Sequence, residues 1–398
     1  MPQSTPRSKS SASAASNSAT KKSPAAQRTA KAKSPFRFAL LGAGHIAQKA
    51  VLPAFANTRG ECQLTAIISG DAAKRATLAR QYRLAHTFDY SEFDAACKSG
   101  LFDALYIALP NTLHREYTIR AARHGIHILC EKPMATTRRD CQAMIDACAK
   151  HHVRLMIAYR LHFEQANMEA ARLLRAKELG EPRLFTSCFT LQARENNIRL
   201  SALMGGGPLF DIGIYSLNAA RYLFAAEPTE VIAMTARGPD PRFQHVEESV
   251  AVTLRFPGAR LATFSCSFGA AATGWFQVVG TRGDICLDPA FEYAGKLRRT
   301  LTKDGATRAQ EYPKRDQFAP ELIAFARACR HRTNIECGGP EGLIDVAIIE
   351  AIYKSARTGR AVKLRPLPQD ATPTKRQVLR RKVAPKPKAI KVKSGQRD

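Results

Sequence analysis

Phe36-Arg37-Phe38-Ala39-Leu40-Leu41-Gly42-Ala43-Gly44-His45-Ile46-Ala47 is the stretch that decides the fold. The run Phe36–Leu41 reads as a buried strand. It stops at GxGxxA, a pattern that joins a strand to a helix and binds the pyrophosphate of a dinucleotide. Gly42 allows the tight turn, Gly44 lets the backbone approach the phosphates, and Ala47 lets helix and strand pack closely. The helix N-terminus, which carries His45 and Ile46, offers N–H groups and a partial positive charge to the anion. GxGxxA alone is a weak signal, and a second strand about 20 residues further on supplies its context.

That second strand, Leu64–Ser69, runs into Gly70-Asp71-Ala72-Ala73-Lys74-Arg75. An NAD site usually has Asp or Glu at the strand end to bond the ribose 2′-hydroxyl. Here Ser69 takes the place of the acid and can bond a phosphate oxygen, with Gly70 beside it. Lys74 and Arg75 add positive charge within one helical turn. The pattern favours NADP. NAD is the alternative, through Asp71, which also reads as an N-cap for the next helix. A later strand ends in Leu109-Pro110-Asn111-Thr112-Leu113-His114. Pro110 and Asn111 stand at the sheet edge and a helix start, where Asn111 reads as an N-cap, a ribose contact or both.

Residues 35–157 alternate short apolar runs with amphipathic stretches. Strands are expected over Phe36–Leu41, Leu64–Ser69, Ala104–Leu109, His127–Cys130 and Arg154–Ala158. Helices are expected over Asp71–Tyr82, Thr112–His124 and Arg138–His151. This is the βαβ rhythm of a parallel sheet with helices on both faces. After a helix near Glu164–Lys177 come longer alternating runs: Arg183–Gln192, Glu230–Ala236, Ser249–Phe256, Arg260–Phe268, Trp275–Gly280 and Asp284–Leu287. They predict a mostly antiparallel sheet with one face packed and one face open to substrate or a second subunit. Helices near Phe318–Arg330 and Gly342–Thr358 close the ordered part. The fold class is an α/β Rossmann domain over 35–157, followed over 158–364 by an α+β domain with a large open-faced, mostly antiparallel sheet.

The 398 residues suffice for two domains, and 45% hydrophobic content suits a globular protein. The net charge of +27 collects at the ends. Residues 1–34 hold Lys and Arg without Asp or Glu, and 365–398 carry Arg380-Arg381-Lys382 and similar clusters. Both read as disordered basic tails, either solvated or in non-specific contact with polyanions. No run of about 18 apolar residues suggests a membrane span. The N-terminus lacks an apolar signal region, so a cytoplasmic location is expected. The cysteines form no CxxC pairs and read as thiols in a reducing cytosol. The histidines show no ligand spacing, so no metal is expected.

Glu131-Lys132-Pro133 follows the strand His127–Cys130, at the sheet end where α/β proteins bind ligands. Gly205-Gly206-Gly207-Pro208-Leu209-Phe210-Asp211-Ile212-Gly213-Ile214-Tyr215 is the second signal. A helix beginning near Asp211 puts Asp211 and Tyr215 at i and i+4, on one face. Taken singly, Tyr215 also reads as a core tyrosine and Lys132 as the ion-pair partner of Glu131 or another carboxylate. Together they suit oxidation of a hydroxyl, which needs a base for the O–H proton while hydride leaves carbon. A free tyrosine is a poor base at neutral pH; the Lys132 ammonium and a cationic nicotinamide ring favour its phenolate. Lys132 is expected to bond the reacting oxygen, and Asp211 to orient Lys132 or bond another substrate hydroxyl.

At GAGHIA (42–47), LPNTLH (109–114), CEKPMAT (130–136) and GGGPLFDIGIYSLNAARYL (205–223) the chain resembles the glucose–fructose oxidoreductase and inositol dehydrogenase (Gfo/Idh/MocA) family. Tyr215 within IYSLN and SGDAAK (69–74) bring it nearest the glucose–fructose oxidoreductase branch. The resemblance implies a Rossmann domain, then an open-faced domain that forms a homodimer or homotetramer through its sheet. It implies that Lys132, followed by a proline that is often cis, Asp211 and Tyr215 are catalytic. Tyr159-Arg160 matches a segment that approaches the nicotinamide. The expected cofactor residues are therefore Arg160 with Gly42, Gly44, His45, Ile46, Ala47, Ser69, Gly70, Lys74, Pro110, Asn111, His114, Glu131 and Lys132. The implied activity is NADP-dependent hydride transfer between nicotinamide and a sugar or polyol, aldose to lactone or secondary alcohol to ketone. The loop Arg194–Arg199 is expected to line the substrate pocket. Two other readings stand beside this one. One is a sugar- or nucleotide-sensing regulatory protein that touches nucleic acid through its tails; the other is a trans-dihydrodiol dehydrogenase-like enzyme.

Overall fold

Six short strands pair in parallel because helical crossovers carry the chain back to the same end of the sheet each time. They are β1 (Phe36–Leu41), β2 (Cys62–Ile68), β3 (His86–Phe88), β4 (Ala104–Ile107), β5 (His127–Glu131) and β6 (Leu155–Ala158). Their order is β3-β2-β1-β4-β5-β6. The order reverses between β1 and β4, and ligands bind in the crevice at such a reversal. The computed structural model describes residues 34–293, 295–365, 372–385 and 387–391. All but the last residue of the tail expected over 1–34 lies outside them.

β3 was not expected. It is a short edge strand with little burial, so it carries almost no apolar pattern. The helix after the glycine turn holds a π-helical segment, Ala47–Val51, ahead of Pro53. Proline has no N–H for the i−4 carbonyl, and the wider turn accommodates that loss.

The second sheet comprises β7 (Pro182–Gln192), β8 (Glu230–Ala236), β9 (Ser249–Phe256), β10 (Arg260–Ser267), β11 (Gly269–Gly280), β12 (Gly283–Leu287), β13 (Leu297–Lys303), β14 (Ala306–Tyr312) and β15 (Val362–Lys363). Its order is β14-β13-β12-β11-β7-β10-β9-β8-β15, antiparallel except for the β7–β10 pair. The hairpin β13–β14 was missed because its residues are mostly charged or polar. Its signal was the Asp304-Gly305 turn, where both residues have positive φ, as a two-residue type I′ hairpin demands. Helices Gln165–Arg175 and Ile214–Phe224 cover one face. On the other face Val279, Leu184 and Leu261 lie in one row across β11, β7 and β10, all exposed, with Ile232 and Met234 exposed on β8.

The helices Phe318–His331 and Gly339–Thr358 depart from the domain division read at 157/158. They return to the first sheet. Phe325 packs on Phe36 and Phe38. A Cβ on Gly342 would lie 2.8 Å from Met134 and 2.9 Å from Ile157, so only glycine lets this helix seat so closely. Residues 372–385 and 387–391, within the stretch expected as a basic tail, make contacts with the body. Arg175 donates to the Pro373 carbonyl at 2.6 Å, Asn57 to that of Lys382 at 2.8 Å, and Gln377 to Glu336 at 2.9 Å. Val378, Leu379 and Ile390 pack against the core. Polar side chains of the body supply the partners that the segment's backbone needs.

The returning helix also carries an ionic cluster. Arg221, fully buried, bonds Glu227, Glu341 and Asp345 at 2.5–3.0 Å. Asn218 donates to Glu341 at 2.9 Å and to Asp345 at 3.0 Å, and Tyr159 donates to Asp345 at 2.7 Å. Removing one partner leaves buried charges uncompensated. Arg221→Met is expected to lower the unfolding free energy by about 3–5 kcal/mol, measured by urea denaturation; a loss below about 1 kcal/mol contradicts this account.

Candidate active site

A cleft of about 560 Å³ opens where the two sheets meet. At its floor β1 ends and Gly42 takes φ +90, with its N–H bonded to the Ile68 carbonyl at 2.9 Å. A Cβ there would fall 2.4 Å from the Ala108 carbonyl oxygen, so the turn requires glycine. A Cβ on Gly44 would meet nothing within 4 Å, which leaves a cradle facing the cleft. His45 and Ile46 line the cleft beside it, while Ala47 is buried in the helix–strand contact.

Ser69, Lys74 and Tyr90 line one part of the cleft. Gly70 packs instead on the Tyr90 ring. Arg75 turns away to the Ser69 carbonyl and to Asp89, which it meets at 2.8 Å. Asp71 takes the N-cap role, accepting the Lys74 backbone N–H at 2.9 Å. Pro110 and Asn111 line the cleft. Asn111 caps no helix; its side chain donates to the Gly205 carbonyl at 2.7 Å and ties the glycine loop to the first sheet. His114 does not reach the cleft, contrary to expectation. It is fully buried and its two ring nitrogens meet the carbonyls of Pro133 and Leu109, both at 3.0 Å. It braces two loops, a role its sequence context could not separate from ligand binding.

β5 delivers Glu131 and Lys132 to the cleft, and the Lys132–Pro133 bond is cis. Tyr106 donates to Glu131 at 2.8 Å. Burial pushes the Glu131 carboxyl up, against the Lys132 charge. The ion pair of Lys132 is with Asp211 and not Glu131. Its Nζ donates to the Asp211 carbonyl at 2.7 Å and approaches the carboxylate at 3.4 Å. The helix bearing Asp211 starts earlier than expected and passes through a π-helical segment, Leu209–Gly213, before Ile214–Phe224. Asp211 and Tyr215 nevertheless both face Lys132, whose Nζ stands 4.6 Å from the Tyr215 ring centroid.

Arg199 closes the group, donating to Asp211 at 2.6 Å. Its loop was expected at the pocket, but the pairing has no sequence signature. Burial alone would raise the Asp211 carboxyl; Arg199 and Lys132 outweigh it and hold it below the usual carboxylate range. The Tyr215 hydroxyl is met by Arg160, whose Nε donates to it at 3.1 Å. Arg160 is fixed at its other nitrogens by Gln317 and the Phe291 carbonyl, each at 2.7 Å. A guanidinium only donates, so the phenol oxygen accepts and its own proton is free to point elsewhere. Phe189 and Phe291 flank the Tyr215 ring. The whole places an ammonium and a phenol side by side, within one cleft that also holds a phosphate-type glycine cradle.

Residues 36–159 match the model of the oxidoreductase family with an NAD-binding Rossmann fold, and residues 167–286 match the GFO/IDH/MocA C-terminal domain. The chain belongs to the GFO/IDH/MocA oxidoreductase family. It is 33% identical to a D-xylose 1-dehydrogenase [NADP(+)] of Haloarcula marismortui over 83% of this chain and 93% of that one. The aldose-aldose oxidoreductase of Caulobacter crescentus, solved with glycerol, superposes with a TM-score of 0.79 at 37% identity, over 83% of this chain and 100% of that one. A 3-ketoreductase of Actinomadura kijaniata, in complex with NADP and TDP-benzene, superposes with a TM-score of 0.74 at 25% identity, over 81% and 98%.

The depressed Asp211 carboxyl has a testable sign. Its charge favours the folded state above the unfolded value of about 3.9, and that contribution is lost as pH falls through the lower folded value. The stability difference between wild type and Asp211→Asn should be flat above about pH 5 and shrink only below that, in unfolding titrations from pH 3 to 7. A difference that changes between pH 6 and 7 would refute the assignment.

Proposed function

We propose that the protein is an NADP-dependent oxidoreductase that oxidises a cyclic aldose at its anomeric hydroxyl, or a related polyol at a secondary alcohol. The observation that carries this is the meeting of the Lys132 ammonium and the Tyr215 phenol in the cleft built on the glycine turn. The dehydrogenase relative named for xylose and NADP supports the sugar and the cofactor.

Gly42, Gly44, His45 and Ile46 would hold the pyrophosphate, and Ser69 and Lys74 a 2′-phosphate. Pro110, Asn111, Glu131, Lys132 and Arg160 would border the ribose and nicotinamide. Bound NADP+ supplies the hydride acceptor. Tyr215 takes the proton of the substrate hydroxyl. Arg160, always charged and already bonded to that oxygen, stabilises the phenolate that accepts this proton. Lys132 has three donors and spends them on Asp211 only in part, so one remains for the reacting oxygen. Asp211, held by Arg199, orients Lys132. Phe189, Phe291 and Tyr293 offer apolar faces to the sugar carbons.

We further propose a homodimer or homotetramer assembled through the open sheet face. Nine strands at about 4.8 Å spacing make a surface about 40 Å wide. The row Val279–Leu184–Leu261 leaves it apolar enough to seek a partner. We place the protein in the cytoplasm, in keeping with cysteines that are all free thiols and mostly buried.

Nicotinamide reduction at 340 nm, followed with NADP+ and NAD+ over a panel of aldoses, polyols and aromatic diols, should show turnover of an aldose with NADP+ preferred. Intact NADP+ binding with no turnover of any aldose or polyol overturns the reading. With the substrate so found, Tyr215→Phe and Lys132→Met should each lower kcat by about 10²–10⁴-fold while NADP+ binding persists. Full turnover in either variant removes that residue from the mechanism.

A further inference from the structure

The C-terminal segment ends its described course at the cleft. Gln48, buried on the helix that follows the glycine turn, donates to the Ala43 carbonyl at 2.8 Å and to the Ile390 carbonyl at 3.0 Å, and accepts the Ile390 N–H at 2.7 Å. One side chain thus fastens both the turn and the segment. Along the way the segment is held by Arg175, Glu336, Asn57 and the backbone of Asp316. The next residue after Ile390 is Lys391, which lines the cleft with Ser69, Lys74 and Tyr90. The Lys74 backbone N–H, then the charges of Lys391 and Lys74, hold the Asp71 carboxyl below its usual range. Among the described residues neither ammonium forms an ion pair. Two lysines lining the same cleft as Ser69 suit a doubly charged phosphate.

We propose that Lys391 is a phosphate-binding residue of the cofactor site, a third ligand with Ser69 and Lys74 for the 2′-phosphate, carried there by a C-terminal strap. The proposal rests on the NADP reading and deepens it. Selectivity for NADP would then come partly from a residue more than 300 positions away from the strand end that normally decides it.

Calorimetric titration of the whole protein with NADP+, NAD+, adenosine 2′,5′-bisphosphate and AMP tests this. Lys391→Ala should weaken NADP+ and the bisphosphate by about tenfold, the size of one charge-assisted bond, and leave NAD+ and AMP unchanged. Lys391→Arg should restore most of the loss. Ile390→Pro, which lacks the N–H that Gln48 accepts, should reproduce the Lys391→Ala pattern. Trypsin cleavage after Lys388 and Lys391 should slow with NADP+ more than with NAD+. Unchanged discrimination in Lys391→Ala, with wild type still preferring NADP+, overturns the Lys391 assignment alone. Wild type that binds NADP+ and NAD+ equally overturns the NADP reading as well.

Discussion

Arg221 is a guanidinium buried among three carboxylates, and the position of the proposed chemistry depends on it. A charge so placed is tolerable only when each partner is present and well aimed. The cluster therefore admits essentially one arrangement of the helix Ile214–Phe224 against the helix Gly339–Thr358. The first helix carries Tyr215. The second lies on the Rossmann side, seated through Gly342 against Met134 and Ile157. Tyr159, at the end of β6, bonds the same Asp345, and its neighbour Arg160 bonds Tyr215. A constraint remote from the cleft thus sets where the phenol stands relative to the strand end that bears Lys132.

The cleft itself is governed by an excess of positive charge. Lys132 and Arg199 meet Asp211 and keep its carboxyl charged, while Arg160 brings a third positive charge to Tyr215. Such a field suits a site that must hold an anionic cofactor and favour an oxyanion. Within it the contacts divide the labour. Lys132 lies over the face of the Tyr215 ring, whereas Arg160 meets its hydroxyl. To the Lys132 ammonium and the nicotinamide ring, which were expected to favour the phenolate, the structure adds an arginine whose charge does not titrate.

Much of this was legible beforehand. The glycine turn, the βαβ rhythm and the alternating strands of the second sheet each rest on local rules of period and turn chemistry, so they could be read from short windows. The convergence of Lys132, Asp211 and Tyr215 was legible because strand end and glycine loop each mark a ligand-facing position. β3 and the hairpin β13–β14 were missed because exposed, polar strands carry no apolar alternation. His114 was misjudged because a histidine that braces two loops and one that touches a ligand look alike in a motif.

The amino-acid sequence by itself determined the family's Rossmann core, the dinucleotide turn and the chemical types gathered at the site. Those follow from backbone sterics and hydrophobic periodicity, which act over a few residues. Only the tertiary structure decided that Arg199 secures Asp211, that Arg160 meets Tyr215, that the last helices return to the first sheet, and that a basic C-terminal segment reaches the cleft. These are contacts between residues tens to hundreds of positions apart. They depend on packing geometry and on the need to satisfy buried polar groups, and no local pattern encodes either.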